Sequence, residues 1–190
     1  MEHAGVNRAA VFLDRDGVLI ANVDTYVRTM SDVQILPGVF DALRRLATTS
    51  YAIVLVSNQS AVGRGLVAAE DVLAINARVV AQIEDAGGRI DAAFLCLHSP
   101  ADACDCRKPK PGLLFQAQAE LGLNLAASYL VGDAASDIAA ARAAGACGIL
   151  VRTGRGAIQE TLLDPRDRAG TPVVRDLAAA VDRILQGANC

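Results

Sequence analysis

Short apolar runs recur along this chain, separated by stretches in which apolar residues return every three or four positions. The runs are Ala10–Leu13, Ala52–Val56, Ala92–Leu97, Tyr129–Val131 and Gly148–Val151. All are too short for a helix and apolar at successive positions. That predicts parallel strands buried on both faces rather than strands with one wet face. Val173–Val174 adds a possible edge strand. Between the runs, Val39, Leu43 and Leu46 form one helical stripe, entered at Pro37. A longer stripe of Val72, Ile75, Val79 and Ile83 is closed by Gly87 and Gly88. Further helices are expected over Gly112 to Leu121, Ala134 to Ala144 (ended by Gly145) and Asp176 to Leu185. Strand and helix alternate, so the expected fold is α/β: a doubly wound, Rossmann-like parallel sheet, with function at the carboxyl ends of its strands. No internal repeat is visible, and residues 1–190 are read as one domain.

Composition narrows this picture. The chain has 190 residues, enough for one domain with a sizeable core. Its hydrophobic fraction is 53% but its aromatic fraction only 4%, with Ala prominent, which suits helices packed closely on a sheet. No apolar run approaches the roughly 20 residues that span a bilayer. Met1 to Ala10 does not read as a signal peptide, so a cytoplasmic enzyme is expected, with no membrane partner. A net charge of −3 argues against a nucleic-acid partner, which would want a basic face. Arg107, Lys108 and Lys110 do cluster, on a scale that suits one or two phosphates of a small molecule. Five cysteines in such a setting argue for reduced thiols rather than a disulfide framework. With only His3 and His98 present, there is little material for histidine catalysis.

Polar residues gather just after four of the strands. The first strand ends in FLDRDGVLI, where Asp14 and Asp16 stand two apart and point to one side, and Gly17 permits a sharp turn. Two such carboxylates can divide the work of nucleophile and proton donor; a solvated acidic loop is the alternative. The second strand ends in SNQS, where the Ser57 hydroxyl and the backbone N–H groups of Asn58, Gln59 and Ser60 could hold a phosphoryl oxygen. An ordinary turn would look the same. The third leads to RKPKPG, in which Lys108 offers a fixed positive charge on an approach stiffened by Pro109 and Pro111. The fourth ends in VGDAASD, where Asp133 is either a Mg²⁺ ligand or a helix N-cap, and Asp137 follows one turn later.

A second cluster lies in CLHSPADACDC, residues 96–106. Cys96, His98, Cys104 and Cys106 make a closed set for tetrahedral Zn²⁺, of the kind that builds structure because no position stays open. The alternative is four unrelated residues near a strand end. Cys147 is expected to be buried beside the last strand, and Cys190 carries no assigned role.

In this order at successive strand ends, the motifs resemble those of the haloacid dehalogenase superfamily of aspartate-nucleophile phosphatases, from about Val11 to Val151. The resemblance implies Asp14 as nucleophile, Asp16 as general acid/base, and Mg²⁺ held by Asp14, the backbone carbonyl of Asp16, and Asp133. It implies that Ser57 and Lys108 steady the phosphoryl group. The 43 residues from Asp14 to Ser57 and the 51 from Ser57 to Lys108 leave no room for a separate cap domain. FLDRDG, NQS, the Cys/His loop and CDCRKPKPG together look like the capless branch acting on heptose bisphosphates and histidinol phosphate. A heptose 1,7-bisphosphate, cleaved at its 7-phosphate, is then the expected substrate, and histidinol phosphate the alternative. By resemblance Arg107 would meet the phosphate that is not cleaved, and Asp24, Thr25 and Tyr26 would contact sugar hydroxyls. Ser57 stands where the family usually has Thr, and Ala134 where relatives carry Lys. A receiver-type phosphoacceptor domain is the rival from another class, although it would place its aspartate on a later strand.

Overall fold

The strands lie where the apolar runs predicted them, in a computed structural model that describes residues 7–187; His3 and Cys190 fall outside. In chain order they are β1 (Ala10–Leu13), β2 (Ala52–Asn58), β3 (Ala92–Cys96), β4 (Tyr129–Gly132), β5 (Cys147–Val151) and β6 (Val173–Val174). They form one sheet, parallel at every pairing, in the order β3-β2-β1-β4-β5-β6. The chain winds outward in one direction from β1 and then in the other from β4. The crevice of such a sheet opens where that direction reverses. Asp14 stands at that point, its N–H bonded to Val131 O at 3.0 Å.

The helices are α1 (Val39–Ala47), α2 (Ser60–Gly63), α3 (Ala69–Asp85), α4 (Gly112–Leu121), α5 (Ala135–Ala144), α6 (Gly156–Gln159), α7 (Pro165–Arg168) and α8 (Leu177–Leu185). Successive strand residues point to opposite faces. Val11, Leu13, Ile53 and Leu55 therefore pack with α1, α3 and α8, while Ala10, Phe12, Val54 and Val56 pack with α4 and α5. The stripe of Val39, Leu43 and Leu46 is buried as its spacing predicted. Each such side chain stabilises the fold by about 1.5–3 kcal/mol relative to leaving it in water. Gly148 lets α5 sit close to the sheet: a Cβ there would come within 3.1 Å of Ile138 Cδ1.

Several boundaries differ from expectation. Helix α1 begins after Gly38, whose φ of +79° caps it, rather than at Pro37. Strand β2 continues to Asn58 because β3 pairs with it as far as Asn58↔Cys96. Ser57 and Asn58 thus belong to the strand. Cys147 is half-buried and opens β5. Helices α2, α6 and α7 have four residues each, too few to show a period in the sequence. Between β1 and α1 the described residues form one short 3₁₀ turn, Met30–Asp32, and two isolated bridges, Asp16 with Ile20 and Ile20 with Ile35, and lay Val18, Leu19, Ile20 and Val27 into the core. No cap domain rises there. Among the described residues no helix is long and apolar enough to cross a membrane.

Candidate active site

The carboxyl edge of the sheet brings four motifs onto one spot. Lys108 is only 3% exposed, and its ammonium group is claimed from three sides. It lies 3.0 Å from Asp14 Oδ1 and 2.6 Å from Asp137 Oδ1, and it donates to Val56 O at 2.9 Å. Burial alone would pull its pKa down, but the Asp137 and Asp14 carboxylates outweigh that and raise it, so the lysine stays charged. Burial pushes Asp137 up to about 6, with Lys108 pulling the other way. Asn58 secures the lysine's backbone: its amide accepts from Lys108 N–H at 3.1 Å and donates to Lys108 O at 3.0 Å.

Asp14 Oδ1 also accepts from the Arg15 N–H at 2.8 Å. Asp16 turns its carboxylate toward Gln59, whose Nε2 donates to Asp16 Oδ2 at 2.7 Å and to Ser57 Oγ at 3.0 Å. Arg15 is fully buried and bridges the same pair, 2.8 Å from Gln59 Oε1 and 3.1 Å from Asp16 Oδ2. Gln59 thus links the Asp16 and Ser57 side chains.

Asp133 is fully buried, and burial followed by the nearby Asp14 charge raises its pKa. It does not cap α5. Asp137 reaches back to accept from the N-cap residue Ala134 at 3.0 Å, so the cap role falls to the second aspartate of the motif. Oxygens of Asp14, Asp133 and Asp137 approach within 4.8 Å of one another, and Asp133 Oδ1 is buried with no hydrogen-bond partner. A buried, unpartnered carboxylate oxygen beside two further carboxylates is relieved by taking up a proton or by a bound cation. The donor set is hard oxygen, which suits Mg²⁺.

Near the end of β3 the Cys/His residues converge as their spacing suggested. Cys96 Sγ lies 3.6 Å from Cys104 Sγ and 3.8 Å from His98 Nδ1, Cys106 Sγ lies 3.4 Å from Cys104 Sγ, and His98 Nδ1 lies 3.3 Å from Cys106 Sγ. Bonds of about 2.3 Å to sulfur and 2.0 Å to nitrogen give a tetrahedron with edges of roughly 3.5–3.8 Å. The set therefore fits one metal ion. Burial pushes the Cys96 thiol up, and burial with its two sulfur neighbours pushes Cys106 up to about 12. A cation would relieve that opposition to thiolate.

The remaining expected contacts are less gathered. Asp24 and Thr25 are exposed at a turn, with Tyr26 half-buried at φ +69°, and these three lie apart from the hydrogen bonds that tie the aspartate cluster together. Ser60 opens α2 and is buried. Arg107 is half-buried, with a guanidinium nitrogen that is buried and unpartnered. The loop after β5 was absent from the sequence reading. There Arg155 N–H donates to Asp133 Oδ2 at 2.8 Å, and Thr153 Oγ1 donates to Gly17 O at 2.6 Å. Asn22, also missed, donates to Asp133 Oδ2 at 2.7 Å. The one available signal was RTGRG following a strand.

An aspartate-bearing strand at the switch point, flanked by strand ends carrying a serine, a buried lysine and two further buried aspartates, is the arrangement of a HAD-like hydrolase. The HAD-hydrolase-like family profile matches residues 105–180. The D-glycero-beta-D-manno-heptose-1,7-bisphosphate 7-phosphatase of Bordetella bronchiseptica is 38% identical over 178 residues, covering 94% of this chain and 98% of that protein. Its namesake from Pseudomonas aeruginosa is 36% identical over 181 residues, covering 95% and 100%. The crystal structure of the Bordetella bronchiseptica D,D-heptose 1,7-bisphosphate phosphatase complexed with magnesium and phosphate aligns with a TM-score of 0.87 at 36% identity, over 95% of this chain and 99% of that one. The chain belongs to this family of heptose-bisphosphate phosphatases.

Proposed function

We propose that the protein removes the 7-phosphate of D-glycero-β-D-manno-heptose 1,7-bisphosphate, acting in the cytoplasm as a single domain, through a phosphoryl group carried on Asp14. The observation that carries this reading is the contact of Lys108 with Asp14 at 3.0 Å, beside the aspartates that fit a cation. The names of the relatives support the substrate.

Asp14, the backbone carbonyl of Asp16, and Asp133 would hold Mg²⁺. Asp137 is already engaged by Lys108 and the Ala134 N–H. When bound, the ion neutralises phosphate charge so that one anion can approach another. Asp14 attacks phosphorus through one carboxylate oxygen in this proposal, with Arg15 N–H and Lys108 holding the group in place at Oδ1. As the bond from phosphorus to the sugar oxygen breaks, Asp16 gives that oxygen a proton. Asp16 then takes a proton from water, whose oxygen attacks the phosphorus and frees Asp14 as carboxylate. Lys108 and Ser57 steady the phosphoryl oxygens, while the Asn58–Lys108 backbone bonds hold the lysine in place. Asn58, Gln59 and Ser60 offer backbone N–H groups at the same site. The unpartnered Arg107 nitrogen suits the second phosphate, and Asp24, Thr25 and Tyr26 face the sugar in this proposal. Cys96, His98, Cys104 and Cys106 would hold a structural Zn²⁺, their thiols kept reduced in the cytoplasm.

Phosphate release measured on both anomers of heptose 1,7-bisphosphate and on histidinol phosphate tests this. The β-bisphosphate should be turned over fastest, and Asp14→Asn should reduce its turnover to background with the fold intact. Faster turnover of histidinol phosphate, or an active Asp14→Asn variant, would overturn the proposal.

A further inference from the structure

Asp133 is surrounded asymmetrically. Its Oδ2 accepts two hydrogen bonds, from Asn22 Nδ2 at 2.7 Å and Arg155 N–H at 2.8 Å, with Arg155 Nε a further 3.7 Å away. Its Oδ1, equally buried, accepts none. Two glycines wall in the Oδ2 side. A Cβ on Gly17 would lie 2.1 Å from that oxygen, and one on Gly154 would lie 2.4 Å from it. Both glycines also have positive φ, +89° and +59°, so each position is closed to side chains by space and by backbone conformation. Thr153 Oγ1 then ties the loop after β5 to Gly17 O at 2.6 Å. The loop after β1 and the loop after β5 thus meet on one carboxylate oxygen and fill its surroundings.

A free carboxylate can rotate and present either oxygen or both to a cation. This one cannot turn without breaking two bonds and moving Oδ2 out of a pocket shaped for it. We infer that Asn22, with the Thr153–Arg155 loop, is a clasp that sets Asp133 to bind the cation through Oδ1 alone. Asn22 is the positioning residue of that clasp, and its effect reaches the metal through Asp133. The inference rests on the Mg²⁺ reading of the site given above. Partners of this kind typically alter metal affinity by about 10–100-fold when removed.

The test is a calorimetric titration of Mg²⁺ into the whole chain in the presence of inorganic phosphate, for wild type and Asn22→Leu, with circular dichroism to confirm the fold. The variant should bind Mg²⁺ about 10–100-fold more weakly. Its kcat should return to within a few-fold of wild type at saturating Mg²⁺, with an unchanged KM for the phosphate ester. A general folding defect would instead depress kcat at every Mg²⁺ concentration. If Asn22→Leu does not fold, Asn22→Ala removes the same donor with less bulk and carries the same expectation. Equal Mg²⁺ affinity in wild type and a folded variant overturns the clasp alone. Wild-type protein that takes up no Mg²⁺ overturns the reading of the metal site, and the clasp with it.

Discussion

Lys108 shows how much of this site depends on charges that water does not reach. Its ammonium group balances two buried carboxylates, Asp14 and Asp137, at 3.0 and 2.6 Å. Removing one partner of a buried ion pair leaves uncompensated charge, which costs about 3–5 kcal/mol. Lys108→Met should therefore lose stability as well as activity, and the loss should depend on pH. Burial holds the Asp137 pKa at about 6 in the fold, above its ordinary 3.8, even while Lys108 pulls it down. Without the lysine it rises further. A carboxyl whose pKa is raised on folding favours the fold at low pH and loses that contribution as pH climbs through the folded value. Urea denaturation in the presence of a chelator should find variant and wild type close at pH near 4 and well separated above 6. Asp14, Lys108 and Asp133 were legible as residues because each follows an apolar run within a dense polar motif. Asn22 and Arg155 were not, because asparagine and arginine are ordinary in loops. Their meaning lies in contacts 111 and 22 residues away along the chain.

Elements carry the motifs to their places, and the Cys/His loop illustrates the means. Gln59 N–H donates to Cys96 O at 2.7 Å and Gly63 N–H to Leu97 O at 2.8 Å, joining the loop to the end of β2 and to α2. On its other side, a Cβ on Gly112 would lie 2.2 Å from Asp105 O, so α4 begins hard against it. Cys106 stands two residues before Lys108. Metal at this loop is thus expected to hold the lysine segment as well as itself. Elemental analysis should find about one zinc per chain, the full occupancy of a closed four-ligand set. Cys104→Ser and Cys106→Ser should each lose it, with faster hydrogen exchange over residues 97–110. Zinc retained in both variants would remove the four-ligand assignment. The four Cys and His residues were visible in the sequence. The bonds that lock their loop to β2 were not, since backbone groups pair wherever the register of β2 with β3 sets them.

At the scale of the molecule, the parallel sheet separates the residues that stabilise the fold from those of the candidate site at its carboxyl edge. Helix α8 returns from β6 and packs on α1, with Arg45 and Asp182 paired at 2.7 Å near the end of α1. Ile184 lies in its last turn, 1% exposed, toward the amino edge of the strands and away from the aspartates. Ile184→Ala should destabilise by about 2–5 kcal/mol, read from denaturant midpoints, with KM and Mg²⁺ requirement unchanged at temperatures where the variant is folded. By itself the sequence determined the strands, the longer helices and the motifs at the strand ends. These follow from local periodicity and from residue chemistry that does not depend on neighbours in space. Tertiary structure alone decided that β1 lies between β2 and β4, that Asp137 rather than Asp133 caps α5, and that one oxygen of Asp133 is enclosed. Strand order, burial and the partner of each polar atom are set by segments far apart in the chain, which meet only when the core closes.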